Sequence, residues 1–484
     1  MAARRVRRSR TRAKSGSGPR VHGAKKTAGP SITVVNMIPK SLSGETNQDS
    51  EPTIAVNPAN PLQIAGSAFT PAPGGSSRGP LFVSSDGGAT WVLNTIIPGT
   101  MPLDITMQFG AKSRLYAGIL RGDYTKKDET RLNILRTDDV TSTNPMTILK
   151  DRPGIGVDQP YVQVASTAAG KDRVFVGENQ GDRNDGRTAT IDLSLDGATG
   201  TGKFKMVSIE SRGVQGSQDG PPVRPAIHSD GTVYAVYHSW RTFDGNSGDG
   251  TADIVVVRDD HGATGTAPFK DLVDPNDNKV GMRVVRNTKF NFGAYLGLQR
   301  TGGDVSIAVD PTNSARVYLA YNDDQGAHYV LHVLRSTDRG VTWSADVRTI
   351  QDALNPSLSI NTDGTLGLLY QQLAGTGAAQ QWVSKVEMLK AGGSTWTSVV
   401  LARTAAKSPV KQFDPYLGDY AHLMAMGKTF YGVFSASNVP LMANFPNGVT
   451  YQRNANFTSG KLLDVDNKTP VDPSIDPFFF KITP

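Results

Sequence analysis

Residues 84–91 read Ser-Ser-Asp-Gly-Gly-Ala-Thr-Trp, and residues 336–343 read Ser-Thr-Asp-Arg-Gly-Val-Thr-Trp. Both segments follow the pattern S-x-D-x-G-x-T-W, hereafter the box, and weaker copies lie near Asp138, Asp196, Asp260 and Trp396. In such a segment the Asp carboxylate can accept backbone N–H bonds across a turn, and the Gly permits a positive φ. The Trp can fill the space between two neighbouring sheets. We therefore predict structural roles for Asp86, Trp91, Asp338 and Trp343.

A second repeat precedes the box and marks the start of a strand. It has a polar residue, a proline and then alternating apolar positions, as at Glu51-Pro52, Gln159-Pro160, Arg224-Pro225, Asn355-Pro356 and Asp414-Pro415, with weaker copies near 101 and 303. The box Asp lies 34 positions after 52 in the first unit and 33 after 305 in the fifth, although whole units range from 50 to 80 residues. This fixed interval predicts one supersecondary unit repeated seven times, with the length variation confined to loops on one face.

The box is the Asp-box, and over residues 51 to about 480 the chain resembles the sialidase-like β-propellers with Asp-box (BNR) repeats. A four-stranded blade buries its faces only against neighbouring blades, which forces a series of blades to close into a ring. We expect an all-β propeller of seven blades, with six, the number in the family's sialidases, as the alternative. The expected organisation is a disordered basic arm over 1–30 and a single propeller domain over 31–484. Its repeats are expected to start near 51, 101, 158, 223, 303, 355 and 413, and segments 31–38 and 478–482 are predicted to supply the closing strands.

The net charge of +7 is concentrated at one end of the chain. Residues 1–30 contain ten Arg and Lys and no acid, so the remainder carries −3. A block of like charge stays solvated. Three roles are open for it: a solubilising arm, a segment that binds a polyanion or particle partner electrostatically, or a targeting signal. We expect no membrane span and recognise no secretory signal, because no long apolar run is present. The compartment stays open, and the resemblance suggests an extracellular or particle-associated protein.

Candidate ligand residues come from the starts of the first strand of each unit and the ends of the second strand, which would meet at the loop-rich face. A polar ring there is also the ordinary result of strand ends that face water. The resemblance implies an arginine triad for a substrate carboxylate, a Tyr nucleophile activated by Glu, and an Asp acid/base. Val223-Arg224-Pro225 is the nearest match to the family's F/Y-R-I-P motif, although it lacks the aromatic residue and the residue between Arg and Pro. The candidates for ligand binding are Arg224, Arg121, Arg241, His238 and Arg300, and those for catalysis are Glu178, Tyr416 and Asp158.

A metal is a further alternative for this sequence. Asp244-Gly245-Asn246-Ser247-Gly248-Asp249 spaces oxygen ligands much as calcium loops do, so Asp244, Asn246 and Asp249 form a candidate calcium site. No other cofactor is expected, and the lack of cysteine excludes a disulfide framework and a Cys–zinc site. Three functions remain: a weakly catalytic or non-catalytic module that recognises a carbohydrate or another polar or anionic ligand, a sialidase-type exo-glycosidase, and a structural or cargo protein docked through its basic arm.

Overall fold

The computed structural model describes residues 29–122, 130–154, 157–181, 183, 185–199, 203–212, 218–292, 303–326, 328–409 and 417–484. These residues form an all-β structure, as predicted, and contain 3₁₀ turns but no α-helix. The 3₁₀ turns span Lys40–Leu42, Pro73–Gly75, Ala111–Ser113, Gly377–Ala379 and Met442–Asn444. No helix in the described part of the chain is long and apolar enough to cross a membrane.

Strand β1 (Ser31–Asn36) is followed by successive antiparallel sheets, numbered here in chain order. Sheet 1 contains β2 (Ser50–Val56), β3 (Ile64–Phe69), β4 (Arg78–Ser84) and β5 (Val92–Pro98). Sheet 2 contains β6 (Ile105–Phe109), β7 (Leu115–Gly122), β8 (Thr130–Thr137) and β9 (Thr147–Gly154). Sheet 3 contains β10 (Val157–Ser166), β11 (Asp172–Gln180), β12 (Ala189–Ser194) and β13 (Lys205–Ser208). Sheet 4 contains β14 (Val223–Ile227), β15 (Val233–Phe243), β16 (Asp249–Asp259) and β19 (Met282–Asn291). A small hairpin of β17 (Val273–Asp274) and β18 (Lys279–Val280) lies between β16 and β19.

The remaining sheets continue the same order. Sheet 5 contains β20 (Ser306–Asp310), β21 (Asn313–Asp324), β22 (Tyr329–Ser336) and β23 (Arg348–Gln351). Sheet 6 contains β24 (Ala353–Ile360), β25 (Leu366–Ala374), β26 (Gln381–Leu389) and β27 (Trp396–Ala405). Sheet 7 is ordered β28 (His422–Met426), β29 (Thr429–Ser437), β34 (Ile475–Thr483), β1 and β30 (Thr450–Tyr451). A small sheet of β31 (Ala455–Asn456), β32 (Lys461–Leu463) and β33 (Pro470–Val471) lies in the connection to β34.

The apolar core lies between consecutive sheets. The first strand of each sheet, hereafter its inner strand, contacts the inner strand of the next sheet, and that of sheet 7 contacts that of sheet 1. Each pair of consecutive sheets shares one cluster of buried side chains. A further cluster joins Phe479 of sheet 7 to Ile54 and Trp91 of sheet 1 and its box. Within the described residues, the sheets therefore follow one another in a cyclic order, and each shares an apolar cluster with the sheets before and after it.

The two ends of the described chain meet in sheet 7. Strand β1 pairs antiparallel with β34, from Ser31 opposite Thr483 to Asn36 opposite Phe478. Val34 and Phe480 are buried in the cluster shared by sheets 6 and 7. The segments predicted as closing strands are therefore paired with each other, and β1 brings the start of the described chain onto a sheet formed by its end.

Both full boxes form the predicted turn. The Asp86 carboxylate accepts the Thr90 backbone N–H at 2.9 Å and the Thr90 hydroxyl at 2.6 Å, and Asp338 makes the same pair of bonds with Thr342 at 2.9 and 2.5 Å. Trp91 is 1% exposed, as predicted, but Trp343 is only partly buried. The reason is local, since Trp91 packs edge-on against Phe479 at 5.4 Å, whereas Trp343 lies at the margin of its cluster.

The boxes lie on the edge of the sheets opposite the edge where the inner strands begin. In an antiparallel sheet the third strand runs parallel to the first, so the turn between strands three and four is at the end of the first strand. We call this the box edge, and the other one the strand-start edge. Long connections occur on both edges. Those before 223 and 303 are on the strand-start edge, but the longer one between β16 and β19, residues 260–281, is on the box edge, so the prediction that length variation is confined to one face is wrong.

Candidate functional site at the strand-start edge

Polar side chains from all seven inner strands, or the residues just before them, collect at the strand-start edge. Most of them are buried, although strand ends usually meet water. The group, hereafter the mouth cluster, consists of Glu51, Asp104, Asp158, Gln159, Tyr161, Arg224, Asp304, Asn355, Asp419, Tyr420 and His422. By this definition it holds five carboxyl groups and one guanidinium, so acidic groups outnumber basic ones and the cluster disfavours an anionic ligand.

Arg224 links several members of the mouth cluster. Its Nε donates to Asp304 at 2.8 Å, and its Nη2 donates to the Gln159 side-chain oxygen at 2.8 Å. The guanidinium also lies over the rings of Tyr161 and Tyr420, at 4.8 and 5.6 Å from the ring centroids. Arg224 was predicted as a ligand-binding residue, and the structure shows that its donors and its flat faces already have partners within the protein.

Burial and the crowding of like charge raise the pKa of two carboxyl groups in this cluster, Asp104 and Asp304. Burial raises the pKa of Asp104 well above its usual value, and the charges of Glu51, Asp158 and Asp419 raise it further. Asp104 and Glu51 are hydrogen-bonded to each other through their carboxyl groups. Burial also raises the pKa of Asp304 to about 7, although Arg224 partly offsets the effect. Two carboxyl groups in contact cannot both ionise easily, so the charged form of Asp104 is disfavoured.

Tyr161 and His422 lie on the inner side of the mouth cluster. The His422 Nδ1 accepts the Ile54 backbone N–H at 3.3 Å and contacts the Thr53 hydroxyl at 3.2 Å. Burial, followed by the charge of Arg224, lowers the pKa of His422 to about 4, so the ring is neutral at pH 7. Burial raises the pKa of Tyr161 to about 12, so this phenol is not an activated nucleophile.

A central cavity of about 350 Å³ lies beside these residues. All seven inner strands contribute to its wall, and its lining includes Tyr161, Arg224 and His422. It extends to His228 and Ser229, which follow β14 at the box edge. The mouth cluster therefore closes one end of a cavity that runs along the axis of the cyclic arrangement.

Backbone strain marks the starts of three inner strands. Glu51, Gln159 and Asn355 have positive φ of 51°, 44° and 56°, and the pairing register of each strand shifts at this point. Each residue precedes a proline, which normally favours extended backbone. Non-glycine residues in this region cost free energy and persist where the surroundings hold them. The polar-Pro repeat thus corresponds to a strained bulge that places side chains into the mouth cluster.

Glu178 is not brought to the mouth cluster. It is fully buried on β11, and its Oε1 accepts Arg152 Nη1 at 3.1 Å, while Arg152 also pairs with Asp192. Burial and the charge of Asp192 raise the pKa of Glu178 well above its usual value. Because Arg152 belongs to sheet 2 and Glu178 to sheet 3, this group is an ion pair inside the interface between two sheets. The sequence placed Glu178 on a strand end but could not show which way its side chain points.

The other predicted arginines do not assemble with Arg224 into a triad. Arg121 donates to the Asn133 side chain at 2.9 Å, and Arg241 forms an ion pair with Asp253 at 2.9 Å. His238 is buried on β15, and burial with the charge of Arg224 lowers its pKa to about 3. Tyr416 and Arg300 lie outside the described residues.

The predicted calcium loop is an exposed hairpin turn between β15 and β16. Asp244 Oδ1 accepts the Asn246 backbone N–H at 2.9 Å, and Asp249 Oδ1 accepts the Asn291 side chain at 2.6 Å. The oxygen atoms of this loop thus stabilise the turn and its neighbouring strand, which explains the calcium-like spacing without an ion.

Sequence reasoning missed several members of the mouth cluster. Asp104 and Asp419 precede inner strands that begin later than the motif predicted, at Ile105 and His422. Asp158 and Asp304 were on the predicted strand starts, and the structure brings both into the cluster. A polar residue directly before an apolar run would have been the signal for Asp104.

Comparisons with known proteins give similarity to solved structures only. No family model matches the chain, and no curated protein matches it. A protein of unknown function from Dyadobacter fermentans DSM 18053 is 11% identical, with 93% of this chain and 99% of that chain covered and a TM-score of 0.43. The GH93 α-L-arabinofuranosidase of Fusarium graminearum is 12% identical, with coverage of 74% and 97% and a TM-score of 0.42. A polysaccharide lyase, the PL25 ulvan lyase, is 11% identical, with coverage of 81% and 92% and a TM-score of 0.47. No residue role is transferred from these proteins.

Proposed function

We propose that residues 31–484 form a single closed propeller of seven blades, each blade being one of the seven sheets. The cyclic contacts of the inner strands and the cluster shared by sheets 7 and 1 support this count. The cavity walled by all seven inner strands supports it as well. In a closed ring of this kind the strand-start residues of every blade converge on one axis, which gives a site built from many short segments.

We further propose that the mouth cluster binds an uncharged saccharide. The observation that carries this proposal is the convergence of five carboxylates with the Tyr161 and Tyr420 rings around one buried guanidinium. Carboxylates accept hydrogen bonds from sugar hydroxyls, and aromatic rings supply an apolar surface beside them. Asp158 is the most accessible of the five carboxylates and is the residue through which a ligand would enter the cluster.

The same charges argue against a sialidase site and against anionic ligands. A carboxylate ligand needs guanidinium groups that are available, and Arg224 already pairs with Asp304 and Gln159. The neighbouring carboxylates would also repel an anion, because solvent and salt screen the interaction between buried charges only weakly.

A glycan array followed by titration calorimetry tests this function. We expect the full chain to bind neutral oligosaccharides in preference to sialylated or uronic ones. Asp158→Asn should weaken binding about ten- to a hundredfold, the range for loss of a charged hydrogen bond. Asp363→Asn is the matched control, because Asp363 is an exposed carboxylate at the box edge that pairs with Lys428. Preference for sialylated glycans, or equal effects of the two substitutions, would contradict the proposal.

Glycoside hydrolysis is the second candidate function, and the contact between Glu51 and Asp104 favours it. A carboxyl group whose charged form is disfavoured can act as a general acid, and a second carboxyl group is nearby in Asp158 or Asp419. Because burial and the neighbouring carboxylates disfavour the charged form of Asp104, Asp104→Asn should preserve the fold and saccharide binding while it abolishes turnover of neutral aryl glycosides. Binding without turnover by the wild-type chain would leave recognition alone as the function.

A further inference from the structure

Three carboxylates meet where the ring is closed, away from the mouth cluster. Glu45 and Asp49 lie in the connection between β1 and β2, and Asp476 lies at the start of β34. One carboxylate oxygen from each of these residues lies within 4.8 Å of the other two. The group therefore joins the segment that follows the first strand of the propeller region to its last strand.

The hydrogen bonds of the three carboxylates are unequal. Asp476 is fully satisfied, since it accepts from the side chains of Asn36 at 2.7 Å, Asn438 at 2.7 Å and Arg453 at 2.8 Å. Among the described residues, by contrast, Asp49 Oδ1 and Glu45 Oε2 are buried without a hydrogen-bond partner. Asp49 is only 2% exposed, so water does not compensate for this loss.

Arg453 neutralises only part of the charge in this group. Its Nη1 lies 2.8 Å from Asp476 but 3.9 Å from Glu45. Its Nη2 is used by the backbone oxygens of Ser43 and Glu45, at 2.8 and 2.7 Å. Burial and then repulsion among the carboxylates raise the pKa of Asp49 to about 7 and that of Glu45 to about 10. The guanidinium therefore anchors the loop, but within the described chain Glu45 Oε2 and Asp49 Oδ1 are still without a hydrogen-bond donor.

We propose that Glu45, Asp49 and Asp476 bind a calcium ion that ties the segment after β1 to β34. An all-oxygen set with several carboxylates suits a hard cation. Two oxygens bound to one calcium ion lie at most about 4.8 Å apart at a Ca–O distance of about 2.4 Å, and one oxygen from each of the three residues meets this limit. The ion supplies the missing partner for Asp49 Oδ1 and Glu45 Oε2 and stabilises the closed ring.

Calorimetric titration of the full chain with calcium chloride, combined with thermal unfolding in calcium or in EGTA, tests this site. We expect one bound calcium per chain and a higher melting temperature in calcium. At a free calcium concentration 100 times the dissociation constant, the unfolding equilibrium constant should decrease about 100-fold. Asp49→Asn should abolish both effects. Because this substitution also removes a buried and repelled charge, the variant in EGTA should be at least as stable as the wild-type protein.

Asp249→Asn is the matched control, since it alters the exposed hairpin loop whose spacing resembles a calcium site. This variant should bind calcium and gain stability as the wild-type protein does. Calcium binding that survives Asp49→Asn, or that is lost in Asp249→Asn, would overturn the assignment. Equal or tighter binding of magnesium would overturn the choice of ion, and an absence of binding would show that Arg453 alone satisfies the group. Saccharide binding at the mouth cluster is measured separately and does not depend on this result.

Discussion

The two full boxes share one sequence pattern but should differ in their contribution to stability. Trp91 is 1% exposed, lies in the cluster that joins sheet 7 to sheet 1, and donates its indole N–H to the Gly88 carbonyl at 3.1 Å. Trp343 makes the same bond to Gly340 at 3.0 Å, but its ring is only partly buried. The local turn is thus the same in both boxes, and the packing of the indole is the variable.

We expect Trp91→Ala to lower the free energy of unfolding by about 3–5 kcal/mol, the usual range for truncation of a buried aromatic side chain. Trp343→Ala should cost about 1–2 kcal/mol, because less apolar surface leaves water when this residue packs. Urea unfolding followed by circular dichroism measures both values, and the midpoints are compared at equal slope. Equal losses for the two variants would show that the box turn, and not closure between sheets 7 and 1, determines the stability, and the reasoning would be refuted.

Three further predictions follow from buried charges and from the closing strand. Arg224→Ala should cost about 3–5 kcal/mol in unfolding free energy, because it leaves Asp304 buried without its guanidinium; no loss would show that Asp304 is protonated in the folded state. His238 has its pKa lowered from 6.5 to about 3, so its contribution to stability is complete above pH 6.5 and is lost as the pH falls toward 3. When the pH falls from 7.5 to 4.5, the free energy of unfolding of the wild-type protein should therefore decrease by about 2–3 kcal/mol more than that of His238→Leu, as measured by calorimetric scans. Removal of residues 1–28 should leave the melting temperature nearly unchanged, as the like-charged sequence predicts. Removal of residues 1–38 also deletes β1, which pairs with β34, and should prevent cooperative unfolding. Equal melting temperatures for the two truncations would contradict the role of β1.

Much of the fold could be predicted because each motif of the repeat consists of residues that are close together in the sequence. The box fixes a turn by hydrogen bonds within eight residues, and the polar-Pro motif marks the bulge that begins an inner strand. Both motifs involve residues that are neighbours in the sequence, so they can be recognised without a structure. Strand β6 begins later than predicted because the sequence near 101 carries only a weak copy of the motif. Strand β28 begins at His422, and the motif predicted to start it, Asp414-Pro415, lies outside the described residues.

The candidate site could be predicted only in part, for a physical reason. A strand end identifies which residues lie near the loop-rich face, and this placed Asp158, Arg224 and Asp304 correctly at the strand-start edge. Side-chain direction and the identity of the partner depend on contacts between sheets, which have no local signature. Glu178 consequently faces the interface of sheets 2 and 3, and Arg224 is held by Asp304.

The crystal structure of the full chain with the neutral saccharide that binds most tightly is the most direct test of the central claim. The account predicts a sugar ring at the strand-start edge, with a hydroxyl within about 3.2 Å of the Asp158 carboxylate and within hydrogen-bonding reach of the mouth cluster. A saccharide bound at the box edge, or between the exposed loops of sheets 4 and 5 with the mouth cluster unchanged, would contradict it.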